Sequence, residues 1–453
     1  MPASPDQTSA TEALHTLLSR PVTASDRRKA TLHVLDWLAC ALGARRTAPG
    51  QALLAQTVLA GDGPCIVLGA ARTAAALDAA FINGGLGNVL EMDDIHRTSI
   101  LHPGPIVIPA ALAAAQAFDM PADRFLDAVV RGYEATIRIG RTAGQAHYAH
   151  FHATATCGVF GAATAASFLL GLDPAAVVAA LGNAGATAGG LWRCRFEPGM
   201  SKQWHNAVAA QNGLRAAVAA RSGLTGNRFV LEGEEGFLPV LAAGGDLSRL
   251  LSEPDGPWLI HDTSFKPWPS CRHSHPAVDA ALLARESGIA PDDVITAELA
   301  TYDDALLFCD RPRPVTETEA KFSLQHVVGL CLARGRPQLA DFLPENLERP
   351  EVAALRARVR VARSDAITRA YPARYGASLT LHLTDGTRRA FEVRDALGDP
   401  ARPVSDETLR EKASGLFAWG AVDAGRHDDL VRRTLALGTV GTLADLSGAL
   451  LHA

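Results

Sequence analysis

Aromatic residues make up only 6% of this 453-residue chain, and its most apolar windows are short and broken by Gly, His or Asp. The second lack argues against a membrane span, which needs some twenty nearly uninterrupted apolar residues. Basic runs interleaved with aromatics are missing too, and the net charge of −5 is small for this length, so a nucleic-acid partner is not expected. The seven cysteines form no Cys-x-x-Cys pair and are odd in number. That usage fits a reduced, cytoplasmic protein without disulfides or a structural zinc site. The N-terminal stretch MPASPDQTSATEALHTLL has no basic region followed by an apolar one, so no signal peptide is expected. Neither a fixed-period repeat nor a low-complexity tail is visible.

What the chain has in quantity is Ala and Gly, which suit closely packed helices, and a length that makes two domains the natural expectation. The first half reads as successive helices. Ser25 is expected to cap a helix over residues 26–43, where Leu32, Val34, Leu35, Leu38 and Leu42 recur at helical spacing. Further helices are expected over 51–59, 110–118, 122–139, 154–170 and 203–222, with Asp173-Pro174 opening another and 65–68 a short extended piece. Near residue 265 the character changes. Strands are expected over 294–302 and 359–363, a helix over 317–332, and a hairpin over 377–393 about Asp385-Gly386. Residues 405–416 and the stretch from His427 return to helix. The expected fold is mainly α. A large all-helical domain is built from both chain ends, residues 1–265 and 400–453, with a smaller inserted α+β lid domain over residues 266–399.

Four polar clusters interrupt this pattern. The first is GNVLEMDDIHRTSILHP, residues 87–103, which places Glu91, Asp93, Asp94, His96, Arg97, Thr98 and His102 between two apolar segments. Charged groups enter such a position paired or at a site, and Pro103-Gly104-Pro105 should stop regular structure and leave His102 at a loop–helix junction. An ordinary polar connection with a helix cap is the plain alternative. The second, HYAHFHATAT, sets His147, His150 and His152 before an apolar helix, whose N-terminal dipole would keep a histidine neutral and fit for acid–base work. The third, GMSKQWHNAVAAQNG, puts Lys202 in the first turn of a helix, where a cation is more easily understood if it meets an anionic ligand. The fourth, SFKPWPSCRHSHPAVDAA, holds Lys266, Cys271, Arg272, His273 and His275 among prolines. Its cations suit carboxylates, with Arg272 able to grip one bidentately, although a basic hinge would look similar.

In this order, the GNVLEMDDIHRTSILHPG, FHATATCGVFGAA, SKQWHNA and KPWPSCRHSHPAVDA runs resemble the MmgE/PrpD family. That family contains 2-methylcitrate dehydratase, cis-aconitate decarboxylase and an iminodisuccinate epimerase. The resemblance spans nearly the whole chain from about Ala30. It implies a helical domain with an α+β lid, a homodimer, no metal and no cofactor, and a small substrate with two or three carboxylates. His102, His152, Lys202 and Lys266 fall on the family's motif positions, and its acidic element falls on Glu91, Asp93 and Asp94. Departures are Glu91 and Ile95 in place of an Asp and a Thr, Cys271 in place of a histidine, and Phe308 in place of a tyrosine. They argue against cis-aconitate decarboxylation.

The activity so implied is that of a metal-independent hydro-lyase of a hydroxy di- or tricarboxylate, working by proton abstraction beside a carboxylate. The catalytic candidates are His102 and His152 for acid–base work, Asp93 to orient a histidine, Lys202 for developing charge, and Cys271 as a second proton-handling group. Glu91, Asp94, Lys266, Arg272 and His275 are candidates for substrate binding. Epimerisation of a dicarboxylate is the alternative, and a carboxylate-binding protein without turnover is a reading of another class.

Overall fold

The computed structural model describes residues 7–197 and 199–453, so the first six residues of the N-terminal stretch read above lie outside it. The chain forms two compact units, one of the residues up to Thr263 with Ser405–Ala453, the other of Ser264–Val404. The fold is mainly α.

In the first unit, helix α1 (Ala24–Ala44) is capped by Thr23 rather than Ser25. Thr23 Oγ1 accepts the Asp26 N–H, and the Asp26 carboxylate accepts the Thr23 N–H at 2.8 Å, a reciprocal box that satisfies two otherwise orphaned donors. Helix α2 (Ala76–Leu86) leads into the polar 88–103 loop. Helix α3 (Gly104–Ala117) starts six residues before the expected Ala110. Pro105 falls in its first turn, where a missing N–H costs nothing, so Pro-Gly-Pro opens this helix instead of blocking it. Helix α4 (Ala122–Tyr148) runs past the expected Ile139 and breaks at Gly144, whose φ of 68° and ψ of −164° are open to glycine alone.

Helix α5 (Ala153–Leu169) is buried along its length except at Phe168 and packs on α3, α4 and helix α6 (Ser201–Arg221). Small residues allow this. A Cβ on Gly161 would overlap Thr136 Oγ1 of α4, and one on Gly213 of α6 would overlap Ala162 of α5. Helix axes thus approach closely enough to bury a surface with few large side chains.

The second unit carries a four-stranded sheet of β1 (Val294–Thr301), β2 (Val359–Arg363), β3 (Ala377–Leu383) and β4 (Arg388–Val393), in the order β2-β1-β3-β4. β1 and β2 are parallel, and the other pairs are antiparallel. In β3 the inward Ala377, Leu379, Leu381 and Leu383 are buried, and helix α7 (His275–Glu286) lies against β3 and β4. The expected helix over 317–332 is two: Glu317–Lys321, then α8 (Leu324–Arg334). Ser323 divides them, since its side chain accepts the His326 N–H and so caps a new helix. After this unit, α9 (Asp406–Trp419) returns to pack on α1.

Candidate active site

The 88–103 loop is held by groups distant in sequence. Lys412 of α9 donates to the Met92 carbonyl and to Asp36 of α1, fixing the backbone between Glu91 and Asp93. Glu91 itself takes a φ of 59°. A non-glycine residue there costs on the order of 1–3 kcal/mol, and such strain tends to gather at functional sites. The C-terminal segment therefore helps build a cluster that the sequence places entirely in the first half.

Asp93 is 1% exposed and accepts from Asn88 Nδ2 at 2.7 Å. It also meets His102, whose Nδ1 lies 2.9 Å from Asp93 Oδ2 and 2.8 Å from the Asp94 carbonyl. Both neighbours of Nδ1 accept, so Nδ1 carries the proton and Nε2 is the free lone pair. The His102 N–H donates to Thr154 Oγ1 at the start of α5. Asp94 faces away from this dyad. Its carboxylate accepts from Tyr133 Oη at 2.6 Å and from the Gly104 N–H, and it meets His33 Nδ1 at 2.7 Å. Burial raises its pKa to about 6, with the Tyr133 hydrogen bond opposing the rise. Asp94, expected as a substrate ligand, is thus occupied in joining α1, α3 and α4 to the loop.

His152 stands immediately before α5, 1% exposed, and neither ring nitrogen has a hydrogen-bond partner among the described residues. Burial first, then the nearby charges of Lys202, His205 and His102, hold its pKa well below the ordinary value. It is a neutral imidazole able to donate from one nitrogen and accept at the other. The backbone pins it: its N–H donates to the Gly190 carbonyl at 2.8 Å. Trp192 covers one side, with ring centroids 4.6 Å apart, and His205 lies at 5.6 Å. Lys202, in the first turn of α6, forms an ion pair with Glu91. Asp93, His102, His152, Lys202 and Glu91 therefore gather in the first unit, as the motif order implies.

Other residues of these clusters do structural work. His96 is bound to Ser99 and Asp262 and is held near a pKa of about 4 by burial. Arg97 also pairs with Asp262, and Thr98 accepts from Arg141. His147 is buried between the Leu241 carbonyl and Thr156, while His150 is exposed. Asn88, Trp192, His205 and Lys412 escaped the sequence reading. For His205 a signal existed, since it lies three residues after Lys202 and so on the same helix face.

In the second unit Lys266, Cys271, Arg272 and His275 are all buried. Arg272, expected to grip a substrate carboxylate, is committed within the unit. It pairs with Asp399, donates to the Leu397 carbonyl at 3.1 Å and meets His275 Nδ1 at 3.1 Å. His275 Nε2 faces the Ser270 carbonyl, so this imidazole is spanned between two partners. Cys271 begins the turn before α7, and its N–H donates to the Lys321 carbonyl. Phe308 stacks on His273, which meets the Tyr302 hydroxyl at 2.9 Å. No group of three or more His, Cys, Asp or Glu side chains among the described residues could hold a metal ion, and no helix there is long and apolar enough to cross a membrane.

Residues 11–250 match the MmgE/PrpD N-terminal domain, and residues 268–436 match the MmgE/PrpD C-terminal domain. Human cis-aconitate decarboxylase is 29% identical over 363 residues, covering 76% of this chain and 74% of that protein. A cis-aconitate decarboxylase of Aspergillus terreus is 26% identical over 440 residues, 91% of this chain and 89% of its own. The 2-methylcitrate dehydratase of Cupriavidus necator is 28% identical over 232 residues, 48% of each chain.

Proposed function

Because the chain belongs to the MmgE/PrpD family, we propose that it is a lyase, and specifically a metal-independent hydro-lyase of a small hydroxy di- or tricarboxylate. The observation that carries the reading is His152: a buried, neutral imidazole with no hydrogen-bond partner on either nitrogen among the described residues, beside Lys202 and a His102–Asp93 dyad. A structural histidine in a core is normally hydrogen-bonded, as His147 and His275 are.

In this mechanism His102, oriented through Nδ1, removes with Nε2 the proton on the carbon next to a carboxylate. Lys202 stabilises the charge that passes onto that carboxylate. His102 passes the proton it has taken to the departing hydroxyl, to which the neutral His152 donates a hydrogen bond, so water leaves and a carbon–carbon double bond forms. Glu91 holds the Lys202 ammonium in place. Arg272, held by Asp399 and the Leu397 carbonyl, and His275, held by Arg272 and the Ser270 carbonyl, are reassigned to support.

One observation favours a second reading. Ile95, Cys271 and Phe308 carry none of the hydroxyl or imidazole groups that the resemblance leads one to expect there, which suits an epimerase of a dicarboxylate better than a decarboxylase. The test is NMR of citrate, 2-methylcitrate, malate and cis-aconitate with the enzyme in heavy water, with and without a chelator. Water loss, unaffected by the chelator and abolished in His152→Gln, supports the hydro-lyase. Exchange or inversion without net loss indicates the epimerase, carbon dioxide release the decarboxylase, and binding without change a carboxylate-binding protein.

A further inference from the structure

Asn206 is fully buried, and neither its side-chain oxygen nor its nitrogen has a hydrogen-bond partner among the described residues. It follows Lys202 by one helical turn in α6, so the two side chains share a face. Further along that face Gly213 lies against Val159 and Ala162 of α5. On its other flank, the Asn206 carbonyl is 3.3 Å from the point where a Cβ on Gly84 would stand, and the Pro105 carbonyl is equally near that point. Asn206 therefore sits where α2, the first turn of α3 and α5 converge, one turn below Lys202, next to the helix start that follows His102. His152 and His205 Nδ1, also without partners, are neighbours of Lys202. Burying a carboxamide with none of its hydrogen bonds made is costly, and a leucine of similar size would fill the same space without that cost.

We propose that Asn206 is a specificity-determining contact for the uncharged hydroxyl of the substrate, making the site selective for hydroxy-polycarboxylates over their deoxy counterparts. The proposal rests on the hydroxy-acid lyase reading above. A carboxylate only accepts hydrogen bonds, and Lys202 already answers its charge. A hydroxyl both donates and accepts, which is what a carboxamide complements. A neutral amide also leaves the proton inventory of His102 and His152 undisturbed.

The test is calorimetric titration of citrate and of tricarballylate, which lacks only the hydroxyl, into the parent protein and into Asn206→Leu. The parent should bind citrate at least about tenfold tighter, and the variant should bring the two within about twofold, chiefly by losing citrate. The melting temperature of Asn206→Leu should equal or exceed that of the parent. An undiminished citrate preference in the variant overturns the assignment. So does an equal loss of both acids with a lowered melting temperature, which marks a structural amide, and so does failure of both acids to bind the parent. Turnover measured in parallel separates the two ideas. Discrimination without turnover removes the lyase and keeps the contact; turnover with a citrate preference untouched by the variant does the reverse.

Discussion

Replacing Asp93 by Asn tests the His102 dyad with the smallest change of shape. Asp93 is 1% exposed, accepts from Asn88 Nδ2 at 2.7 Å and faces His102 Nδ1 at 2.9 Å. A carboxylate can serve both donors, whereas an amide has only one accepting atom. If the new oxygen keeps Asn88, the new NH2 faces His102, and Nδ1 must become an acceptor. That moves the ring proton to Nε2, where the base should be free, and it sets the Nδ1 lone pair against the Asp94 carbonyl 2.8 Å away. If the new oxygen keeps His102 instead, two NH2 groups confront each other at Asn88. Either way one buried pair is mismatched, a cost of about 1–3 kcal/mol in stability. Turnover should fall by about 10²–10⁴-fold through the wrong tautomer, with a much smaller change in KM. The assay is ultraviolet absorbance of the unsaturated product, with thermal melts as a control for folding. The double variant with His102→Gln should be no slower than His102→Gln alone, because residues that act as a unit are not additive. An Asp93→Asn enzyme within about fivefold of the parent kcat, or a double variant whose losses multiply, refutes the dyad.

Lys202→Met should raise KM and lower kcat, and adding Glu91→Gln should recover stability without recovering binding, since the first change strands a nearly buried carboxylate; recovery of both would confine the lysine to a structural role. Below pH 6.5 the protein should lose stability through its buried neutral histidines. His326, fully buried, is depressed to about 4 by desolvation. As pH falls through the unfolded value the unfolded state binds the proton first, so the contribution is complete above 6.5 and is lost by about 4, amounting to about 3 kcal/mol for a 2.5-unit difference. His326→Leu should flatten urea stability curves between pH 8 and 5, and an unchanged slope would remove His326 from the account. We propose a homodimer in solution, supported by the exposed Leu191, Phe196, Met200 and Trp204 close together in sequence in one unit. Light scattering should give twice the chain mass; a single chain's mass at micromolar concentration counts against it.

Much of this protein was legible before its structure. Periodicity found the long apolar helices, and Asp385-Gly386 found the hairpin, because a turn needing a positive φ is a local demand, met here by Gly386 at 81°. Motif order placed Asp93, His102, His152 and Lys202 among the site candidates, because an unpaired charge beside an apolar segment is improbable without a reason. Misreadings clustered at local punctuation. Pro103-Gly104-Pro105 has the look of a stop and opens a helix; Ser323 divides one expected helix in two. Proline and serine act at either end of a helix or between two, and packing decides which. What only the tertiary structure decided is the division of labour among similar side chains. Asp93 and Asp94 are adjacent in sequence, yet one orients His102 while the other joins three helices through Tyr133, His33 and Gly104. Arg272 has the composition of a carboxylate clamp, and Asp399, more than a hundred residues away, has already taken it. Lys412 reaches back from the C-terminal segment to fix Met92. A sequence states which groups can ionise or form hydrogen bonds, but a long-range partner satisfies them only once the chain has folded, and only then do His152 and Asn206 stand out beside Lys202 as buried side chains without a partner among the described residues.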